Sequence, residues 1–207
     1  MTTFEIDTPH GRANTHLHPA AAARASLVLG HGAGGGVTAR DLVTVTDVAL
    51  SEGISVVLVE QPYRVAGRRS PAPAHHLDAA WTAVVDDLLA GELRGLPLLV
   101  GGRSSGARVA CSTAAATGAV GVLCLAFPLQ PPRRAGADPA LSRLPELDAV
   151  TVPTLVVQGA RDPFGIPPAG EQRTVVQVES DHGLKTDLQA VAAAVRAWLL
   201  QLDLASG

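Results

Sequence analysis

One lysine, Lys185, occurs in the 207 residues; every other basic side chain apart from the histidines is arginine. We read that scarcity as coding bias rather than as a binding surface. Net charge is −3 at pH 7, so there is no basic excess to draw nucleic acid or an anionic membrane. Cysteine is nearly absent too. Cys111 and Cys124 each sit in an apolar stretch, which predicts two buried, reduced thiols rather than a disulfide framework. The N-terminus MTTFEIDTPHG lacks a basic segment followed by an apolar one, so no secretory signal is expected. Long hydrophobic runs are missing as well. The longest, Ala114 to Phe127, is broken by Thr117, Gly118 and Gly121 and falls short of the roughly 20 residues of a membrane span. A cytoplasmic protein is the expectation, and the lack of repeats or long linkers points to one domain over residues 1–207.

What is present is core-forming. Hydrophobic residues make up 47% and charged residues 17%, a globular balance at a length that can bury a sizeable core. Phe4 and Ile6 alternate with polar neighbours, Pro9-His10-Gly11 supplies a turn, and Thr15 to His18 returns, which predicts a hairpin. From Ser26 the chain alternates strand and helix. Strands are predicted at Ser26–Leu29, Ile54–Val59, Leu96–Val100, Val120–Phe127, Thr154–Val157 and Thr174–Val178. Helices are predicted over Thr38–Leu50 and Ser105–Ala116, and over the stripes Leu77, Trp81, Val84, Val85, Leu88, Leu89 and Leu188, Val191, Ala192, Val195, Trp198, Leu199, Leu202. Both tryptophans fall inside these stripes and read as core. Such βαβ alternation implies an α/β fold, a mainly parallel twisted sheet with helices on both faces. Gln61 to Pro73 reads as a Pro- and Arg-rich loop, and Pro128 to Thr151 as an irregular stretch over one end of the sheet.

Three sites carry the chemistry. Gly102-Arg103-Ser104-Ser105-Gly106 follows an apolar strand and opens a helix, the strand–turn–helix setting in which a serine hydroxyl is exposed on a strained turn. The flanking glycines avoid clashes in that turn. A serine needs a base, and His182 follows the last strand, at the same sheet end. The base needs a carboxylate to hold its tautomer. Asp162, just past the strand Thr154–Val157, fits; Asp181 is the rival, but adjacent side chains in an extended loop point apart. A glycine cluster, Gly30 to Gly36 with His31, follows the strand Ser26–Leu29. Its Gly30-x-Gly32-x-x-Gly35 spacing also matches a dinucleotide fingerprint, with Glu60 ending the next strand where a ribose-binding acid would sit. That alternative, an NAD-dependent oxidoreductase, leaves Ser104, Asp162 and His182 unexplained. A P-loop fits worse, since no Lys-Ser/Thr follows the glycines.

The order Ser104, Asp162, His182, each just after a strand, resembles the α/β-hydrolase superfamily, nearest to its small, dienelactone-hydrolase-like members. The resemblance covers nearly all of the chain from Ser26 onward. It implies the α/β-hydrolase fold and the pairing of the three residues. It also implies an oxyanion hole from the backbone N–H groups of Ala33 (or Gly34) and Ser105. His31 reads as a structural residue of the turn, not a base. Many such members use a cysteine nucleophile where this chain has Ser104, so their substrate does not carry over. The expectation is a serine hydrolase acting on an ester or thioester of a small molecule, with no cofactor and no metal. The connection after Phe127 is short, so an open or lightly covered site is expected. Arg68, Arg69 and Gly34 are candidate substrate contacts, although a solvated loop accounts for the arginines as well, and Arg133-Arg134 reads the same way. His16, His18, His75 and His76 lack a nearby ligand set and read as surface histidines. A non-catalytic hydrolase-fold binding module is the remaining alternative, because fold alone does not establish activity.

Overall fold

The computed structural model describes residues 1–130 and 141–204. Arg133 and Arg134 lie outside the described residues. Thr2–Thr8 (β1) and Gly11–His18 (β2) form the hairpin, paired in register from Thr2 opposite Leu17 to Thr8 opposite Gly11. Ala25–Gly30 (β3), Ile54–Glu60 (β4), Leu98–Arg103 (β5), Gly121–Leu125 (β6), Thr154–Gly159 (β7) and Arg173–Val178 (β8) complete one sheet in the order β1-β2-β4-β3-β5-β6-β7-β8. β2 meets β4 antiparallel, and every pair from β4 to β8 is parallel.

Helices cover both faces, which is why the central strands read as continuous apolar runs. Along β3, Val28 packs with Trp81, Val84 and Leu88 of Ala74–Ala90 (α3), on the face that also receives Val109 and Ala110 of Ser105–Thr113 (α4). Leu27 and Leu29 point to the opposite face. They pack with Leu42 and Val45 of Arg40–Ser51 (α1), and with Val195 and Trp198 of Leu188–Gln201 (α6). The period of two along a strand makes one segment serve both layers. Each fully buried Leu or Val contributes about 1.5–3 kcal/mol.

Two short helices depart from the sequence expectation. Pro62–Val65 (α2) interrupts the predicted loop after β4, and Leu144–Asp148 (α5) sits in the connection from β6 to β7. Both have proline in the first turn, where its missing N–H costs nothing. At four and five residues they are too short to show a helical period. No helix among the described residues is long and apolar enough to cross a membrane.

The strand order positions the site. From β3 the chain crosses to β4 on one side; β5 then lies on the other side of β3, and the sheet grows onward from there. The crevice at the carboxyl ends of β3 and β5 is thus the topological switch point, where open α/β sheets take ligands. Gly30 and Arg103 end those two strands.

Candidate active site

Ser104 joins β5 to α4 with φ 51° and ψ −108°. A non-glycine residue at such a φ is strained by about 1–3 kcal/mol and persists only where its surroundings hold it. Here the Ser104 N–H donates to the Leu125 carbonyl at 2.8 Å, and the Ser104 carbonyl accepts from the Arg108 N–H at 3.1 Å. The glycines allow the turn to be this tight. A Cβ on Gly102 or Gly106 would run into the Gly30 carbonyl oxygen, so α4 starts almost in contact with the end of β3.

His182 reaches this turn from the loop after β8. Its Nε2 lies 2.9 Å from Ser104 Oγ, and its Nδ1 lies 2.8 Å from Asp162 Oδ2. Asp181, the sequence rival, turns away; its Oδ1 accepts from the Gly183 N–H at 2.8 Å and the residue is exposed. The Asp162 side chain is fully buried, whereas that of His182 is 20% exposed. A buried carboxylate needs all its partners. Oδ2 also accepts from Gln158 Nε2 at 2.8 Å, and Oδ1 from the Phe164 N–H at 2.9 Å. The Phe164 ring lies against the His182 ring, centroids 4.3 Å apart. Gly159 lets the loop pass, because a Cβ there would strike the carbonyls of Ser180 and Asp181.

The glycine-rich turn closes the other side. Ala33 and Ser105 line a cavity of about 530 Å³ together with Ser104, and neither N–H has an acceptor among the described residues. The Ala33 carbonyl accepts from the Tyr63 hydroxyl of α2 at 2.9 Å, which anchors the turn. His31 is buried in the turn. Its Nδ1 donates to the Gly32 carbonyl at 2.8 Å, and its Nε2 accepts from the Gln61 N–H at 3.2 Å. Burial pushes its pKa below the usual histidine range, which matches a ring whose second nitrogen must stay an acceptor.

Arg103, inside the serine motif, ties these parts together. It pairs with buried Asp41 of α1 at 3.0 Å and donates to the His182 carbonyl at 2.9 Å. Gly32 leaves room for its guanidinium, since a Cβ would lie 2.8 Å from Nη1. Burial raises the Asp41 pKa, and Arg103 opposes that rise.

Other residues of the cavity lie outside the sequence reading. Arg108, one turn after Ser104, pairs with Asp78 of α3 and, at 3.6 Å, with Glu146 of α5. Arg143 lies 3.9 Å from Glu146. Burial pushes Glu146 up and Arg143 down, each opposed by the neighbouring opposite charges. Arg108, Arg143 and Glu146 line the cavity beside Leu77, Pro128 and Phe164. Arg108 comes from α4, whereas Arg143 and Glu146 stand three positions apart at α5, so no local signal could have joined Arg108 to the other two. Arg68 and Arg69 are exposed and do not line this cavity; Arg68 borders a separate depression with His10, Arg12 and His76. Gly34 lines a neighbouring cavity with Arg40, Arg103 and Lys185. Among the described residues no helical lid stands over Ser104, and α5 is the only helix of the β6–β7 connection. His16 pairs with Glu60 at 3.4 Å, and no cluster of three metal-ligating side chains occurs among the described residues.

The dinucleotide reading loses its structural basis. Residues 31–39 separate β3 from α1, so no helix N-terminus rises from the glycines to face a pyrophosphate. The parallel strands also follow the order β4-β3-β5-β6-β7-β8, in which β5 takes the place beyond β3, rather than the 3-2-1-4-5-6 order of the dinucleotide fold. Gly30 is small because Trp81 and Gly106 pack against it.

Comparisons with known proteins agree with the fold. The structure matches a serine hydrolase without a lid from Xanthomonas campestris with TM-score 0.77 and 18% identity, covering 97% of this chain and 94% of that one. Est1E from Butyrivibrio proteoclasticus matches with TM-score 0.81 and 16% identity, over 97% and 98%. A dienelactone hydrolase from Anabaena variabilis matches with TM-score 0.76 and 16% identity, over 96% of each chain. No curated protein matches the sequence. The family model described as alpha/beta hydrolase domain matches residues 23–193. The chain belongs to the alpha/beta hydrolase domain family.

Proposed function

We propose that the protein hydrolyses an ester or thioester of a small molecule through an acyl-enzyme formed on Ser104. The observation that carries this reading is the unbroken chain from Ser104 Oγ to His182 (2.9 Å) and from His182 to Asp162 (2.8 Å), beginning at a residue held at φ 51°. His182 Nε2 takes the hydroxyl proton as Oγ attacks the carbonyl carbon, then returns it to the leaving group. Asp162 keeps Nδ1 protonated and stabilises the imidazolium. The Ala33 and Ser105 N–H groups receive the oxyanion, and each such donor is typically worth about 3 kcal/mol. Water, activated by His182, then frees the acid and restores Ser104. No cofactor enters these steps. The named neighbours, a serine hydrolase and a dienelactone hydrolase, support the same class. Free, buried Cys111 and Cys124 fit a cytoplasmic setting.

A fluorophosphonate probe tests the reading. Wild type should label on Ser104, and Ser104→Ala or His182→Ala should not. An unlabelled wild type, or equal labelling of Ser104→Ala, would instead favour a non-catalytic binding module. A series of p-nitrophenyl esters and matched thioesters of rising acyl length then ranks substrates for a cavity of about 530 Å³.

A further inference from the structure

Cys111 and Cys124 lie 13 positions apart and on different elements, α4 and β6. Both belong to the core layer between the sheet and α3–α4. Their sulfurs stand 3.4 Å apart, closer than two sulfur atoms rest without a bond or a shared proton. The two thiols differ in access. Cys124 is completely buried, whereas Cys111 is 5% exposed and lines a cavity of about 300 Å³ walled by Ala114, Ala115 and Ala119 of its own segment and by Glu146, Val150 and Val152.

We propose that Cys111 and Cys124 are an oxidisable pair, in which hydrogen peroxide reaches Cys111 through this cavity and Cys124 closes an intramolecular disulfide. The sulfurs must approach by about 1.4 Å to reach a bond of about 2.05 Å. Rotation of the two side chains and a small slide of α4 supply that movement. The small alanines beside Cys111 leave room for it, and α4 already lies close to the sheet at its start because Gly106 carries no side chain against Gly30. The hydrogen bond with Cys111, and then burial, push the Cys124 thiol well above its usual range. Cys124 therefore keeps its proton until the bond forms.

The chemistry balances in two steps. The Cys111 sulfur attacks one peroxide oxygen, the O–O bond breaks, and the departing oxygen takes the thiol proton and leaves as water. The product is Cys111 sulfenic acid. The Cys124 sulfur then attacks the Cys111 sulfur, the S–O bond breaks, and the hydroxyl leaves with the Cys124 proton as a second water. Two thiols lose two electrons and two protons, and one peroxide becomes two waters. The bond would tie α4, which directly follows Ser104, to β6, whose last residue Leu125 accepts the Ser104 N–H.

Both cysteines fall on one tryptic peptide, Val109–Arg133. The reduced full chain is treated with hydrogen peroxide, alkylated in denaturant and digested. The expected product is that peptide lighter by about 2 Da and unalkylated, restored to two alkylated thiols by dithiothreitol. The oxidised chain should also unfold at higher urea than the reduced chain. Cys124→Ala should stop at a sulfenic acid on Cys111 that dimedone traps, while Cys111→Ala should leave Cys124 unmodified. Two alkylatable thiols after peroxide, a crosslink found only between two chains, or oxidation first at Cys124 would overturn the proposal. The wild-type peptide mass decides even if a variant fails to fold, and no outcome depends on esterase activity.

Discussion

Replacing Gly159 by alanine tests whether the site depends on the close passage of the His182 loop over the end of β7. The backbone φ at Gly159 lies outside the glycine-favouring range, so the cost is steric rather than conformational. The new Cβ would stand 2.6 Å from the Ser180 carbonyl oxygen, 2.8 Å from the Asp181 carbonyl carbon, and nearer still to the Asp181 oxygen. Carbon–oxygen contacts settle at about 3.3 Å, so the loop must retreat by about 0.7 Å or more. His182 is the next residue. Its Nε2 would move from 2.9 Å to roughly 3.6 Å from Ser104 Oγ, beyond a hydrogen bond. A misplacement near 1 Å costs on the order of 100-fold in rate, or about 2.7 kcal/mol in the barrier. Gly159→Ala should therefore lower kcat/KM on p-nitrophenyl acetate, and the rate of fluorophosphonate labelling, by about 100-fold. Circular dichroism should show a folded protein. If Gly159→Ala stays within about threefold of wild type while His182→Ala is inactive, the loop is not held by this contact and the reasoning fails. If His182→Ala is fully active too, the proposed chemistry falls with it.

Two further outcomes concern stability. Burial lowers the His31 pKa, so as pH falls through about 6.5 the unfolded chain gains a proton that the folded chain refuses, and stability drops. The urea midpoint of wild type should decline from pH 8 to pH 5.5, and more gently in His31→Gln; equal slopes would remove His31 from the explanation. Arg103→Met leaves Asp41 buried without its partner at 3.0 Å, which should cost about 3 kcal/mol or more in urea unfolding. The double variant Arg103→Met with Asp41→Leu should regain most of that, since no charge then stays buried. A single-variant loss below about 0.5 kcal/mol would place the pair among inconsequential surface contacts.

Local physics was legible in the chain. The hairpin around Pro9-His10, the continuous runs of β4 and β6, and the stripes around Trp81 and Trp198 follow from side-chain period alone, because burial on a known face imposes that period. The serine turn was legible because Gly102, Ser104 and Gly106 fall close together after an apolar strand; the clash its glycines avoid, with the Gly30 carbonyl at the end of β3, was not. α2 and α5 were not, being shorter than the period that would announce them.

Tertiary structure decided whatever depends on residues that meet only after folding. Asp162 faces His182 because Gly159 admits the loop and Gln158 and the Phe164 N–H hold the carboxylate; in the sequence, only the tendency of adjacent side chains to point apart had set Asp162 ahead of Asp181. The glycine string after β3 was compatible with two chemistries until strand order and residues 31–39 removed the helix that a pyrophosphate needs. Arg108 lines the cavity with Arg143 and Glu146 and pairs with both Asp78 and Glu146, which lie 68 positions apart, and the contact between Cys111 and Cys124 exists only because α4 lies on β6. Periodicity records which face a residue turns inward, since water acts on each segment separately. It carries nothing about which inward residues meet, because those distances are set by how the layers stack.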